Sequence, residues 1–214
     1  MELRFEQVGR RFGRDWIFRG VNAHIVQNQQ AIFVGPNGSG KSTLLQIASG
    51  FMSPSEGEVI FFGLNGRIAN DHVSQYISYA APYLDLYEDL TLAEAIDFHM
   101  KFRTLREAWS HTEVMEAMEL SRHSDKAIRN FSSGMRQRLR LALAILTDSK
   151  VLCLDEPTSN LDRNAIAWYR QLLEQNSSNR IVLVSTNHNP DDYLRADITL
   201  HIHNHSPVQS KMSE

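Results

Sequence analysis

The stretch that decides the fold reads VGPNGSGKSTLL and runs from Val34 to Leu45. It continues the apolar run 31–34 and leads into an apolar-periodic segment that ends near Gly50. This pattern predicts a buried strand, a glycine-rich loop and a helix. The loop satisfies Gly-x-x-x-x-Gly-Lys-Ser/Thr, the P-loop pattern that binds nucleotide phosphates. A glycine-rich turn that fits by chance is the alternative, and the strand before the loop and the helix after it disfavour that reading.

Each residue type in this loop has a physical role in holding a phosphate. Glycines at 35, 38 and 40 can adopt backbone angles that other residues avoid, so successive N–H groups can converge on an anion. The helix that follows directs the positive end of its dipole at the same anion. Lys41 then reaches the β and γ phosphates, and the Ser42 hydroxyl is a ligand of Mg²⁺. The residues expected to bind the nucleotide are Gly35, Asn37, Gly38, Ser39, Gly40, Lys41, Ser42 and Thr43.

The composition is that of a soluble globular protein. Of the 214 residues, 42% are hydrophobic and 22% are charged, and this length fits one domain with an inserted subdomain. The formal net charge of -3 gives no electrostatic reason to expect nucleic-acid binding. The sequence has no run of 18 apolar residues and no apolar leader, so we expect no membrane span and no signal peptide. The single cysteine, Cys153, excludes an internal disulfide and suits the cytoplasm.

The segments around the P-loop predict an α/β fold. Residues 3–8 and 16–25 alternate polar and apolar side chains, and a short turn separates them, which predicts antiparallel N-terminal strands. Two apolar runs, residues 151–154 and 181–184, predict strands buried on both faces, as a mainly parallel sheet requires.

A helical block interrupts this core. Thr91 and Glu94 form the pattern of a capping box, and from there the apolar period becomes helical. We expect a helical subdomain over about residues 91–146, one domain over residues 1–204, and a flexible tail over residues 205–214.

Two carboxylates, Asp155 and Glu156, follow the apolar run 151–154. The carboxyl end of a parallel strand is where such sheets bind ligands. A surface turn can also carry Asp-Glu-Pro, but a P-loop elsewhere in the chain favours an acidic metal site. We expect Asp155 to hold Mg²⁺ together with Ser42, and Glu156 to orient and polarise the attacking water.

The order of these features resembles the ATP-binding subunits of ABC transporters over roughly residues 2–203. The segment 131–138, read FSSGMRQR, resembles the Leu-Ser-Gly-Gly-Gln signature that separates this family from other P-loop ATPases. Ser132 and Gly134 match that signature, whereas Ser133 and Met135 depart from it. The resemblance implies the ABC ATPase type of P-loop NTPase fold. It also implies that Ser132 and Gly134 contact the γ-phosphate bound by an opposite subunit.

The resemblance implies roles for three further positions. Residues 159–162, which end in Asp162, resemble the D-loop that links two nucleotide sites across a dimer. Phe12 falls where the family has an aromatic side chain that stacks on adenine, although its position alone favours the core. His188 resembles the switch histidine near the γ-phosphate, and an alignment on the preceding strand places Asn187 there instead. Without the resemblance, a histidine after a buried strand is more often a polar loop residue.

The segment 77–91 resembles the Q-loop region, with one departure. Pro82 occupies the position where the family has a glutamine, and proline has neither the side-chain amide nor a backbone N–H. The usual glutamine contact to Mg²⁺ and water is therefore missing at this position. Tyr83, Leu84 and Tyr87 still offer a docking surface for a membrane partner.

The resemblance implies an ATPase that couples hydrolysis to transport, with ATP and Mg²⁺ as cofactors and Lys41, Glu156 and His188 as catalytic residues. A homodimer, or a heterodimer with a related subunit, would enclose two ATP molecules and drive a separate integral membrane permease. The chain would then lie in the cytoplasm, peripheral on the inner face of the membrane. Two alternatives remain, namely a soluble ABC-type switch in translation or DNA repair and a nucleotide-binding regulator with little turnover.

Overall fold

The computed structural model describes residues 1–107, 109–202 and 209–212. Within these ranges the chain forms ten strands and five α-helices. The strands are β1 Glu2–Phe12, β2 Asp15–Val26, β3 Gln30–Val34, β4 Glu56–Gly63, β5 Gly66–Arg67, β6 Ile77–Ala80, β7 Val151–Asp155, β8 Ile181–Thr186, β9 Ile198–His201 and β10 Gln209–Met212. The helices are α1 Lys41–Ala48, α2 Leu92–Phe102, α3 His111–Ala117, α4 Ser133–Leu146 and α5 Arg163–Asn176.

Six strands form the central sheet, in the order β10-β9-β3-β8-β7-β6. The five strands from β9 to β6 are parallel, and every residue of β3, β7 and β8 is buried. Continuous apolar runs were the signal for such strands, because both faces of a parallel sheet are covered. The carboxyl ends of β3, β7 and β8 meet at one edge, where Val34 pairs with Thr186 and Asp155 pairs with Ser185.

The N-terminal strands form a second, antiparallel sheet in the order β2-β1-β4-β5. The predicted turn between β1 and β2 is present, with Phe12 paired to Asp15. The two sheets pack through apolar side chains, among them Phe5 and Phe33, whose ring centroids are 6.2 Å apart in an edge-to-face contact. The predicted α/β fold class is therefore confirmed.

The central sheet separates two apolar cores, because successive side chains of a strand point to opposite faces. In β3, Ala31 and Phe33 join the core shared with α1 and the antiparallel sheet. Ile32 and Val34 join the core on the other face, which contains side chains of α2, α3, α4 and α5. The P-loop helix and the helical block thus lie on opposite faces of one sheet.

The helical block begins as the capping pattern predicts. Glu94 N donates to Thr91 Oγ1 at 3.3 Å, and Thr91 N donates to the Glu94 carboxylate at 2.8 Å. Helices α2 to α4 lie within residues 92–146. Whether these residues form a separate subdomain, and whether one domain ends at residue 204, stay predictions.

The described C-terminal residues add a strand to the central sheet. Residues 209–212 form β10, which pairs antiparallel with β9, with Gln209 opposite His201. An antiparallel ladder is bonded through the backbone, so a polar segment can extend a sheet edge without an apolar face of its own. The other residues of the expected tail lie outside the described ranges. Among the described helices, none has both the length and the apolar character needed to cross a lipid bilayer.

Candidate functional site

The P-loop joins β3 to α1 through backbone shapes that require glycine. Gly38 and Gly40 have φ angles of 78° and 99°, in the region that side chains with a Cβ avoid. A Cβ on Gly40 would lie 2.3 Å from Ile17 Cγ2, and one on Gly35 would lie 2.4 Å from the Ile202 carbonyl oxygen. The loop is therefore packed closely against neighbouring strands, with its backbone preset before any ligand arrives.

Lys41 extends inside this loop. Its side chain is only 4% exposed, and Nζ lies 3.7 Å from Glu156 Oε1 and donates to the Pro36 carbonyl at 3.1 Å. The buried Ser39 hydroxyl has no hydrogen-bond partner within the described residues. A buried ammonium with few acceptors and a hydroxyl with none fit a phosphate group, whose oxygens would accept from both.

Asp155, at the carboxyl end of β7, is 1% exposed. Its Oδ1 accepts hydrogen bonds from Ser42 Oγ at 3.0 Å and from Ser185 Oγ at 2.5 Å. Its Oδ2 is buried and has no partner in the described part of the chain. An open carboxylate oxygen next to a serine hydroxyl is a donor set that suits Mg²⁺, which prefers oxygen ligands. The structure thus brings both predicted metal ligands together, and it adds Ser185, which the sequence analysis missed inside the apolar run of β8.

Glu156 and His188 follow β7 and β8 in an uncommon backbone conformation. Their φ angles are 42° and 57°, positive values that few residues other than glycine adopt and that often mark functional sites. Glu156 N donates to the Ser185 carbonyl at 2.9 Å, which fixes Glu156 at the sheet edge beside the P-loop. His188 and Asn187 are both exposed, and no hydrogen bond between described residues joins either side chain to Lys41 or Glu156.

Behind these two loops lies a buried hydrogen-bond network that the sequence alone did not predict. Asp192 is 3% exposed and accepts hydrogen bonds at 2.5 Å from both the Thr158 and the Thr186 hydroxyls. Asn189 Nδ2 donates to Thr158 Oγ1 at 2.8 Å. Burial raises the pKa of Asp192, and the bonds from the two threonines oppose that rise. The network ties together the loops after β7 and β8, which carry two of the predicted catalytic side chains.

The residues expected to act across a dimer lie at helix N-termini. Ser132 caps α4, and Asp162 caps α5, each by accepting a hydrogen bond from the backbone N–H three residues further on, at 3.2 Å and 2.8 Å. A Cβ on Gly134 would lie 3.6 Å from the Asn160 carbonyl oxygen, so the start of α4 lies beside residues 159–162. Within the described residues, no hydrogen bond joins Ser132, Gly134 or Asp162 to the P-loop.

Phe12 lies at the end of β1 and is 48% exposed. The Arg10 guanidinium carbon lies 4.6 Å from its ring centroid. The exposure of the ring differs from the core position that sequence position alone suggested. An exposed aromatic face fits a stacking surface for a base.

A P-loop at the edge of a parallel sheet, with its serine hydrogen-bonded to a buried aspartate, defines a P-loop nucleoside triphosphatase. A family model described as "ABC transporter" matches residues 18–159. The chain belongs to this family, as a nucleotide-binding ATPase domain, and the resemblance found in the sequence is confirmed.

Relatives identified by sequence agree with this assignment. The chain is 34% identical over 158 residues to the uncharacterized ABC transporter ATP-binding protein YcbN of Bacillus subtilis, covering 74% of the chain and 52% of YcbN. It is 30% identical over 195 residues to the cytochrome c biogenesis ATP-binding export protein CcmA of Rhizobium etli, covering 89% of each. The chain therefore spans about half the length of YcbN.

A solved structure with the same fold is the dimeric ATP-binding cassette MJ0796 in a post-hydrolysis state bound to ADP and Pi. The TM-score is 0.79 and the identity is 23%, with 98% of each chain covered.

Proposed function

We propose that two copies of this chain enclose two ATP molecules, hydrolyse them, and drive a separate membrane permease. The observation that carries the proposal is the contact between Ser42 and Asp155, with the open Oδ2 of Asp155 at the same sheet edge as the buried Lys41. Such a site places a cationic side chain next to the phosphates. It also places oxygen ligands for a metal on the same rigid part of the fold.

Each side chain then has a defined task. Lys41 and the P-loop amides bind the β and γ phosphates, and Ser39 donates its unpaired hydroxyl to a phosphate oxygen. Ser42 and Asp155 hold Mg²⁺, which when bound neutralises charge on the phosphate oxygens. Glu156 accepts a hydrogen bond from the attacking water and orients it toward the γ-phosphate. His188 contacts the γ-phosphate from the loop after β8.

The second half of each ATP site comes from a second copy of the chain. Ser132 is exposed at the N-terminus of α4, where a helix attracts anions through its free N–H groups and dipole. In one copy, the N-terminus of α4 lies beside residues 159–162, and no hydrogen bond between described residues joins it to that copy's P-loop. The solved structure of the ATP-binding cassette MJ0796 is a dimer, which supports this arrangement.

The permease docks on an exposed aromatic strip, defined as Tyr87, Phe98 and Phe102. These side chains are 65%, 39% and 72% exposed, and consecutive ring centroids are 4.9 Å and 5.0 Å apart. The loop that carries Tyr87 also supplies Leu84 and Leu86 to a cavity of 320 Å³, lined as well by residues of α2 and α4. Contiguous exposed apolar side chains mark interaction surfaces, and an apolar segment of a membrane subunit fits this one.

Steady-state ATP hydrolysis tests the proposal. We expect Mg²⁺-dependent turnover in the wild-type chain, and background turnover in Lys41→Ala. Background turnover in the wild type, with ATP bound, would contradict the proposal and favour a nucleotide-binding regulator.

A further inference from the structure

We propose that Tyr83 is a positioning residue for metal-bound ATP, whose hydroxyl proton is directed into the space beside Asp155. The inference rests on the proposed ATP site. From the sequence alone, Tyr83 was expected only to form part of a docking surface.

A tight turn brings Tyr83 to the sheet edge that holds Asp155. Leu84 N donates to the carbonyl oxygen three residues earlier at 3.1 Å, so residues 81–84 form a β-turn with Pro82 at its second position, which suits the fixed φ of proline. The turn follows β6 directly, and β6 runs parallel to its neighbour β7. Tyr83 and Asp155 therefore leave adjacent strands at the same edge.

Two side chains hold the Tyr83 hydroxyl in place. Gln46 Nε2 donates to it at 3.0 Å, and the Tyr79 hydroxyl lies 2.7 Å from it. Gln46 lies one helical turn after Ser42 on α1, and residues at this spacing share a helix face. The phenol is thus anchored on the same face of α1 as a proposed metal ligand.

The hydroxyl proton of Tyr83 has no acceptor among the described residues when Tyr79 donates to the Tyr83 oxygen. Either hydroxyl can be the donor between Tyr79 and Tyr83. We infer that Tyr79 donates and Tyr83 accepts, because Tyr83 is exposed and can reach other acceptors, whereas Tyr79 is only partly exposed. The amide of Gln46 also donates to the Tyr83 oxygen. A phenol has one proton and accepts through its oxygen, so the proton of Tyr83 is available to a third group.

That third group lies in the proposed metal site. Burial raises the pKa of Tyr83, the hydrogen bonds with Tyr79 and Gln46 lower it, and the negative charge of Asp155 raises it. Asp155 Oδ2 still has no partner at hydrogen-bond distance within the described residues. Gln46, which donates to the Tyr83 hydroxyl, lies one helical turn after Ser42, and Ser42 Oγ donates to the other oxygen of Asp155 at 3.0 Å. Tyr83 itself is 50% exposed. A metal-bound water or a phosphate oxygen between Tyr83 and Asp155 would accept a hydrogen bond from the Tyr83 hydroxyl.

The same turn connects the site to the rest of the molecule. Arg140 Nε of α4 donates to the Leu84 carbonyl at 2.7 Å, which fixes the turn to the helix that begins with the proposed signature contacts. The chain then continues into the loop that carries Tyr87 of the aromatic strip. A ligand that accepts a hydrogen bond from Tyr83 therefore contacts the same segment on which a permease would dock.

Tyr83→Phe tests the inference, because it removes the hydroxyl and keeps the ring. We would measure the Kd of AMP-PNP by calorimetry, once with Mg²⁺ and once with EDTA, so that the ratio gives the tightening due to the metal. We expect Tyr83→Phe to reduce this tightening about 10-fold, the usual effect of losing an outer-shell partner of a metal site. The Kd in EDTA should match that of the wild type.

The control is Tyr76→Phe, which removes a phenol hydroxyl at the opposite end of β6 and should leave both Kd values unchanged. An unchanged metal effect in Tyr83→Phe, or an equal loss in both variants, would overturn the role of Tyr83. Lys41→Ala distinguishes this outcome from failure of the ATP site itself. If Lys41→Ala binds AMP-PNP as the wild type does, the ATP site is wrong and the role of Tyr83 falls with it.

Discussion

At the residue scale, the charge of Lys41 decides how tightly the phosphates bind. Its ammonium is almost fully buried, and one carbonyl and a carboxylate at 3.7 Å are its neighbours, so ATP would supply its strongest acceptors. We expect Lys41→Ala to raise the Kd of ATP roughly 10- to 100-fold, the range for hydrogen bonds to charged groups. A fluorescent ATP analogue measures this, with the exposed Lys150→Ala as the control. Equal affinities in the two variants would remove the P-loop assignment.

The backbone shape of the P-loop is a second residue-scale feature. Gly40 and Gly66 both have strongly positive φ, but a Cβ on Gly40 would lie 2.3 Å from Ile17, whereas one on Gly66 would have no neighbour within 4 Å. Gly66→Ala should therefore lower the free energy of unfolding by about 1–2 kcal/mol through backbone strain alone. Gly40→Ala should lower it more and also weaken ATP binding. Urea denaturation and ATP titration measure the two effects, and equal losses of stability would contradict the packing account.

At the element scale, Asp192 joins the loops that follow β7 and β8. Replacing it by alanine removes the carboxylate that accepts hydrogen bonds from the buried Thr158 and Thr186 hydroxyls, at a cost of about 1–3 kcal/mol. We expect Asp192→Ala to lose this much stability and to lower ATP turnover, because both loops lose their common anchor. The neighbouring Asp191, which is exposed, provides the control Asp191→Ala. If the two variants have the same unfolding midpoint in urea, the network does not contribute to the stability of the fold.

The elements also show what the sequence could and could not predict. Strands β3, β7 and β8 were predictable because both faces are buried and the runs are apolar throughout. Helix α2 was predictable because its capping box is local. Strand β10 was not, because its pairing depends on a free backbone edge and its own sequence is polar.

The residues of the candidate site likewise fall into those that the sequence could predict and those that it could not. The P-loop and the acids after β7 could be found from local patterns, because each follows a buried strand directly. Ser185, Asp192 and Tyr83 could not, because their partners are distant in the sequence and meet only through the parallel register of the sheet. A polar residue at the end of an apolar run was the one signal available for Ser185.

At the scale of the whole molecule, we propose that each ATP site has two halves, and that the P-loop of one copy faces Ser132 and Gly134 of another. Glu156→Gln should keep ATP bound, since the P-loop is intact, and should stall hydrolysis, since the amide cannot act as a base for the attacking water. ATP would then hold the two copies together.

The most direct test is the mass of Glu156→Gln with ATP and Mg²⁺, measured by light scattering after size exclusion. We expect twice the 24.5 kDa of one chain with ATP, and the mass of one chain without it. Adding Gly134→Asp, which places a negative charge where the γ-phosphate of the other copy would lie, should abolish the dimer while ATP still binds. A single-chain mass for Glu156→Gln saturated with ATP would contradict the two-part site.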